Sequence, residues 1–161
     1  MTAIQVAIRN GAYDQVNTDM PTYVLTDLDL EKTYFPQENL EDLVAKPKIK
    51  FVAIGIASNR NRQFRNTSSI ELLVPVQVAI QQKVDPNDVI TLDTLVELTE
   101  QIVTSLEDDE LVAAGTNGET YSWSSSVPLK DENELIYSYE QLMTQGVFQS
   151  VYTINYNYVK Q

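Results

Sequence analysis

The sequence predicts an α+β domain: a mixed, mainly antiparallel sheet with an amphipathic helix at about 91–107 and shorter helices packed on one face. Two observations lead there. In Ile70-Glu71-Leu72-Leu73-Val74-Pro75-Val76-Gln77-Val78-Ala79-Ile80 every even position is apolar and branched, while the odd positions mix Glu, Leu, Pro, Gln and Ala. A strand sends alternate side chains to opposite faces, so this run buries one face and covers the other only in part. Behind it, Leu92, Leu95, Val96, Thr99, Ile102, Val103 and Leu106 recur at helical spacing, the stripe of an amphipathic helix. A long strand and a helix with a matching apolar face make a packing unit, and nothing between them resembles a catalytic motif.

In chain order, residues 1–20 read as a short helix or an extended arm. Ile4, Ala7 and Ile8 begin a helical face, Gly11 ends the pattern and Pro21 marks the boundary. Residues 21–161 then form a single domain. A strand is expected between Thr22 and Phe35, closed by Pro36, with one helical turn at Asn39-Leu40-Glu41-Asp42-Leu43. Lys48–Ala57 reads as a second strand, apolar on both faces and therefore central. A polar loop, residues 58–66, should join it as a hairpin to a long strand at about 67–83.

Pro75 donates no backbone hydrogen bond, which places an open or irregular edge beside it. Asp85-Pro86-Asn87-Asp88 makes a turn and Thr91 is a reasonable N-cap for a helix ending at Leu106. Leu111–Ala114 and Glu119–Trp123 flank an Asn-Gly pair and predict a small hairpin. Residues 132–143 hold a short helix, and Val147–Lys160 is a strand with Phe148, Ser150, Tyr152, Ile154, Tyr156 and Tyr158 on one face.

The 161 residues include 11 basic and 23 acidic side chains, a formal net charge of −12. Such a surface repels phosphates and anionic membranes, so neither membrane association nor sequence-specific nucleic-acid binding is expected. The acids are spread along the chain, not gathered into a tail. At 43% apolar and 21% charged, the composition is that of a globular chain. There is no cysteine and no histidine. Disulfides, thiolate metal sites and His-dependent acid–base or nucleophile pairs are thereby excluded. The N-terminus lacks the pattern of a secretory signal, and synthesis in a cytoplasm is the expectation.

Several features bear on chemistry. Glu107-Asp108-Asp109-Glu110 lacks the alternate spacing and the glycine of a calcium loop, and reads as solvated carboxylates at a helix end. Asp85, Asn87 and Asp88 are turn formers first. Paired carboxylates for glycoside hydrolysis find no apolar setting here, and Gly115-Thr116-Asn117-Gly118 lacks the lysine of a phosphate loop. No catalytic residue, metal or cofactor is expected. Arg60, Arg62 and Arg65 crowd one short stretch around Phe64, which reads either as a docking finger for an acidic partner or as a solvated tip. Tyr156 and Tyr158 are either inner core or interface aromatics.

The succession of segments carries a resemblance. Thr33-Tyr34-Phe35-Pro36 and Asn39-Leu40-Glu41-Asp42-Leu43 precede a strand, an arginine-bearing stretch and a long alternating strand. Then follow Leu92-Asp93-Thr94-Leu95-Val96-Glu97-Leu98-Thr99-Glu100-Gln101-Ile102 and Gly146-Val147-Phe148-Gln149-Ser150-Val151-Tyr152-Thr153-Ile154-Asn155-Tyr156. Over about residues 30–160 this order resembles the small tail-completion, tail-terminator-like neck proteins of tailed bacteriophages and prophages. Residues 1–20 depart from it, since that group often opens with a clear helix.

The resemblance implies a structural virion protein, located in the tail or neck, that forms a homo-oligomeric ring, usually of six. The ring would cap the tail tube, end its elongation and join it to the neck or connector protein, with a sheath as a further neighbour if the tail is contractile. It implies no catalytic residues and no cofactor. The interface residues expected on this reading are Arg60, Arg62, Phe64, Arg65, Pro75, Tyr156 and Tyr158. The alternatives are another neck, head–tail adaptor or baseplate component, and a soluble carboxylate-dependent enzyme.

Overall fold

The computed structural model describes residues 4–34, 44–54, 58–64, 67–107, 111–112 and 120–160. Along the chain these form α1 (Ile4–Asp19), β1 (Asp29–Thr33), β2 (Lys48–Ala53), β3 (Ser58–Phe64), β4 (Thr67–Lys83), α2 (Val89–Leu106), β5 (Leu111–Val112), β6 (Thr120–Pro128), α3 (Tyr139–Gln145) and β7 (Val147–Lys160). Among the described residues the strands make one seven-stranded sheet in the order β1-β2-β4-β7-β6-β5, with β3 also paired to β4. Only the β1–β2 pair is parallel; the other described pairs are antiparallel. The α+β expectation therefore holds.

The alternating run lies at the centre of the sheet. β4 pairs with β7 without interruption from Ile70↔Lys160 to Lys83↔Val147. Its even positions from Val74 to Ile80 face the helices, as the alternation predicts. Val74, Val76, Val78 and Ile80 are buried there with Ile49 and Phe51 of β2 and Phe148, Ile154 and Tyr156 of β7. α1 and α2 cover this face. Leu95, Leu98, Ile102 and Leu106 of α2 are fully buried, each contributing about 1.5–3 kcal/mol of apolar burial. On the second face Lys50, Val52, Ala79 and Gln81 are buried, and Gln149, Thr153 and Asn155 are half-buried, so that side is mixed in polarity.

Residues 4–19 form a helix of the core. Gly11 does not stop it, and the extended-arm alternative is set aside. Ala7, Ile8, Gly11, Ala12 and Val16 are buried along one side, and Tyr13 meets Phe51 edge-on at 5.6 Å between ring centres. A glycine costs a helix about 1 kcal/mol relative to alanine, which burial of these neighbours outweighs. Arg9 is buried too. Its guanidinium reaches the Thr33 carbonyl at 3.4 Å and lies 5.1 Å from the centre of the Tyr34 ring, tying α1 to the end of β1.

Other boundaries shift for local reasons. The strand expected at 22–35 is confined to Asp29–Thr33, because a 3-10 turn at Met20–Thr22 precedes it and Val24 N–H donates to the Gln101 side chain at 2.8 Å, not to a strand. α2 is capped by Asp88 in place of Thr91. The Asp88 carboxylate accepts from the Thr91 hydroxyl at 2.7 Å and the Thr91 N–H at 3.2 Å, and these bonds hold its carboxyl below the usual range. The helix expected at 132–143 is shorter and later. The Asp131 carboxylate accepts from the N–H groups of Asn133 (2.8 Å), Leu135 (2.9 Å) and Tyr139 (3.1 Å), which fixes a turn and delays the helix to Tyr139. The hairpin of β5 and β6 is present, while the Asn-Gly tip and the turn expected at 39–43 lie outside the described residues.

α3 ends on Gly146 at φ 65°, ψ 37°, whose N–H donates to the carbonyls of Gln141 and Leu142. The Gly146 carbonyl accepts from Val84 N–H at 2.8 Å, so this cap also clasps the end of β4 to the start of β7. A Cβ here would lie 3.2 Å from the Val84 carbonyl oxygen. Gly146→Ala is expected to cost about 1–2 kcal/mol, because an L side chain is strained at this left-handed position. A urea midpoint equal to that of the parent protein would refute this account of the clasp.

Candidate assembly surfaces

The residues expected at an interface fall into two groups. Tyr156 and Tyr158 belong to the interior. Tyr156 is fully buried and its hydroxyl donates to the Leu106 carbonyl at 2.7 Å, locking the end of α2 to β7. Tyr158 is 4% exposed and packs against Tyr121 with ring centres 5.0 Å apart. Of the two alternatives, inner core or interface, both side chains take the first in the single chain. The reason is parity: they share the helix-covered face with Phe148 and Ile154, where Leu106 of α2 meets Tyr156 and Tyr121 of β6 meets Tyr158.

Pro75 is buried as well, in a central strand. It stands opposite Asn155 of β7 on one side. On the other, the described β2 pairs end at Ala53↔Val76 and the described β3 pairs begin at Ser58↔Leu73, in a different register. Beside Pro75 the structure shows a change of register between the two described ladders. A proline is tolerated where a ladder is interrupted.

Arg60, Arg62 and Phe64 lie on β3. The expected polar loop is a strand, in register with β4 through Arg60↔Glu71, Arg62↔Ser69 and Phe64↔Thr67. Arg65 lies outside the described residues. Among the described residues β3 pairs only with β4, which leaves its other side as a sheet edge. The order ends on β5, two residues long, and on β1, which is short and charged: Lys48 bridges Glu31, and Lys46 bridges Asp27 just ahead of it, each at 3.0 Å. Short charged edges resist adventitious strand pairing.

A further surface was missed in the sequence. The side of α2 turned away from the core carries Asp93, Glu97, Glu100 and Thr104 exposed, with Glu107 at the C-cap. Their spacing is the complement of the apolar stripe. No lysine or arginine lies between Lys83 and Lys130, and no carboxylate lies between Asp42 and Glu71. That segregation of charge along the chain is the signal that would have found it. Like charges three and four positions apart weaken a helix, and a carboxylate at its C-terminal end opposes the helix dipole.

Beside this stripe runs an open groove of about 450 Å³, lined by Tyr23, Glu97, Glu100, Gln101, Thr104 and Ser105. The Tyr23 hydroxyl donates to Ser105 Oγ at 2.6 Å. Burial pushes the Tyr23 phenol up to about 12, against the lowering effect of that bond and with a small push from Asp19. On the inner side of α2, burial raises the Tyr152 phenol, and the charges of Glu100 and Glu107 add to the shift.

Among the described residues no group of three or more Asp or Glu side chains is placed to hold a metal ion. No described helix is long and apolar enough to cross a membrane. Compared with known proteins, the chain matches no family model and no curated sequence.

Proposed function

We propose that this chain is a structural virion protein of a tailed phage, whose copies form a ring on the end of the tail tube, stop its growth and meet the neck. The observation that carries the reading is the basic strand β3: it extends the sheet beyond β2 and pairs on one side only among the described residues. A strand with a vacant hydrogen-bonding side is a template for assembly. The order of segments over about residues 30–160 supports the same reading. So does α1, since residues 4–19 supply the opening helix whose lack set this chain apart from tail-completion proteins. On this reading the protein carries no catalysis; it acts by completing a larger structure.

Changing Arg60, Arg62 and Arg65 together to Ser tests it. The variant is expected to stay folded, since Arg60 and Arg62 lie on a strand that pairs only with β4 among the described residues, and to lose both self-association and the capping of tubes assembled from the tail tube protein. Negative-stain images of tube length, with mass photometry of the free protein, read both. Tubes terminated as efficiently by the variant as by the parent would overturn the role given to β3. Parent protein that binds only the head connector and leaves tube growth unchanged would make this a neck component and not a terminator.

A further inference from the structure

The sheet edge and the acidic helix face answer one another in charge. We infer that the basic strand β3 of one copy seats against the outer face of α2 in the next copy, so that the occupant of the groove beside Glu97 and Glu100 is a second copy of this chain. The inference deepens the assembly reading above and rests on it.

Charge supplies the first argument. Asp93, Glu97 and Glu100 are exposed along α2 with no basic residue in the helix to offset them. Four lysines outside β3 already have partners of their own: Lys46 with Asp27, Lys48 with Glu31, Lys130 with Glu134, and Lys32 at 4.6 Å from the centre of the Tyr13 ring. Arg60, Arg62 and Arg65 lie in the stretch of sequence that contains no carboxylate. Arginine is also the residue whose planar fork best matches carboxylates at an interface.

Topology supplies the second. β3 flanks β4 on the side opposite β7, whereas α2 packs on α1 and β7. The two surfaces lie on different sides of the central strand, so they are available to two different neighbours. Contact between unlike surfaces of identical copies is heterologous, and such contacts close into rings or run on as filaments. A strand edge meeting the same strand edge would instead give a two-fold dimer. The charge pattern disfavours that alternative, since it would set the arginines of both copies against each other.

The chain has no cysteine, which permits a clean trapping experiment. Asn61→Cys places a thiol on β3 and Thr104→Cys places one on the exposed side of α2, leaving the arginines and carboxylates intact. Full-length copies of the two variants, mixed at low ionic strength with a short bismaleimide, are expected to cross-link to each other at least tenfold faster than either does to itself. Glu97→Lys with Glu100→Lys in the Thr104→Cys copy should abolish the cross-link. Adding Arg62→Glu and Arg65→Glu to the Asn61→Cys copy should then restore it. Circular dichroism of each variant shows that the fold is kept.

Predominant trapping of Asn61→Cys with itself would overturn the inference in favour of edge-to-edge pairing. Self-association unchanged by the α2 reversal would overturn the inference and leave the ring reading standing. Parent protein that stays monomeric at every concentration and also on assembled tubes would overturn both.

Discussion

Tyr156→Ala is expected to lower the stability of the isolated protein by about 3–5 kcal/mol, the range for removing a large aromatic side chain from a packed core. Tyr156 is fully buried, and its hydroxyl holds the Leu106 carbonyl at 2.7 Å. Tyr156→Phe separates the two contributions. It keeps the ring and strands the carbonyl at the end of α2, for a loss of about 1–3 kcal/mol. Urea unfolding followed by circular dichroism measures both. A side chain held ready for a partner would leave the unfolding midpoint of the free protein where it was, so an unchanged midpoint in the alanine variant would return Tyr156 to the surface.

The second large effect concerns α1. Ile8 has no exposed surface and sits in one core with Phe51, Val78 and Leu98. Ile8→Asp removes that packing, worth about 2–5 kcal/mol, and adds the cost of burying a carboxylate. Together these are comparable to the whole stability of an average domain, so the variant is expected to be unfolded at neutral pH. Ile8→Val should cost only about 0.5–1.5 kcal/mol.

The pH dependence of the aspartate variant has a definite sign. Burial raises a carboxyl above its unfolded value, so the folded form binds the proton more tightly and the destabilisation shrinks as pH falls toward about 4. Circular dichroism and gel filtration across that range check it. A well-folded Ile8→Asp protein at pH 7 would mean that residues 4–19 are a dispensable arm after all.

The parts of this fold that were legible in the sequence are those with a strong period. β4 and β7 alternate over most of their length, and α2 keeps an apolar residue at nearly every third or fourth position, so strand, helix and burial followed directly. α1 was obscured because its buried side is built of Ala7, Gly11 and Ala12, whose small apolar surface gives little contrast with the polar residues between them. β3 was obscured for a different reason. Ser58-Asn59-Arg60-Asn61-Arg62-Gln63-Phe64 has no strand propensity of its own, and its conformation is set by the register it shares with β4.

Placement of the candidate surfaces was legible only in half. The arginines stood out as a basic cluster on an acidic chain, but whether a residue on a strand meets solvent depends on parity and on what covers it. Tyr156 and Tyr158 read as possible contacts because a row of tyrosines looks the same in a core and at an interface. What meets them decides, Leu106 of α2 for Tyr156 and Tyr121 of β6 for Tyr158, and those contacts are tertiary facts. The acidic stripe was present in the same residues that revealed the helix, on the side from which an apolar pattern draws no information.

The uninterrupted ladder between β4 and β7 has a mechanical consequence. At about 3.3 Å of rise per residue, the stretch from Ile70 to Lys83 forms a ribbon roughly 45 Å long. Tension applied along its axis, pulling one strand past the other, bears on all of its cross-links at once and cannot open them singly as a zipper does. A chain built around such a spar resists being drawn out lengthwise, and yields first where its shorter, peripheral segments peel sideways.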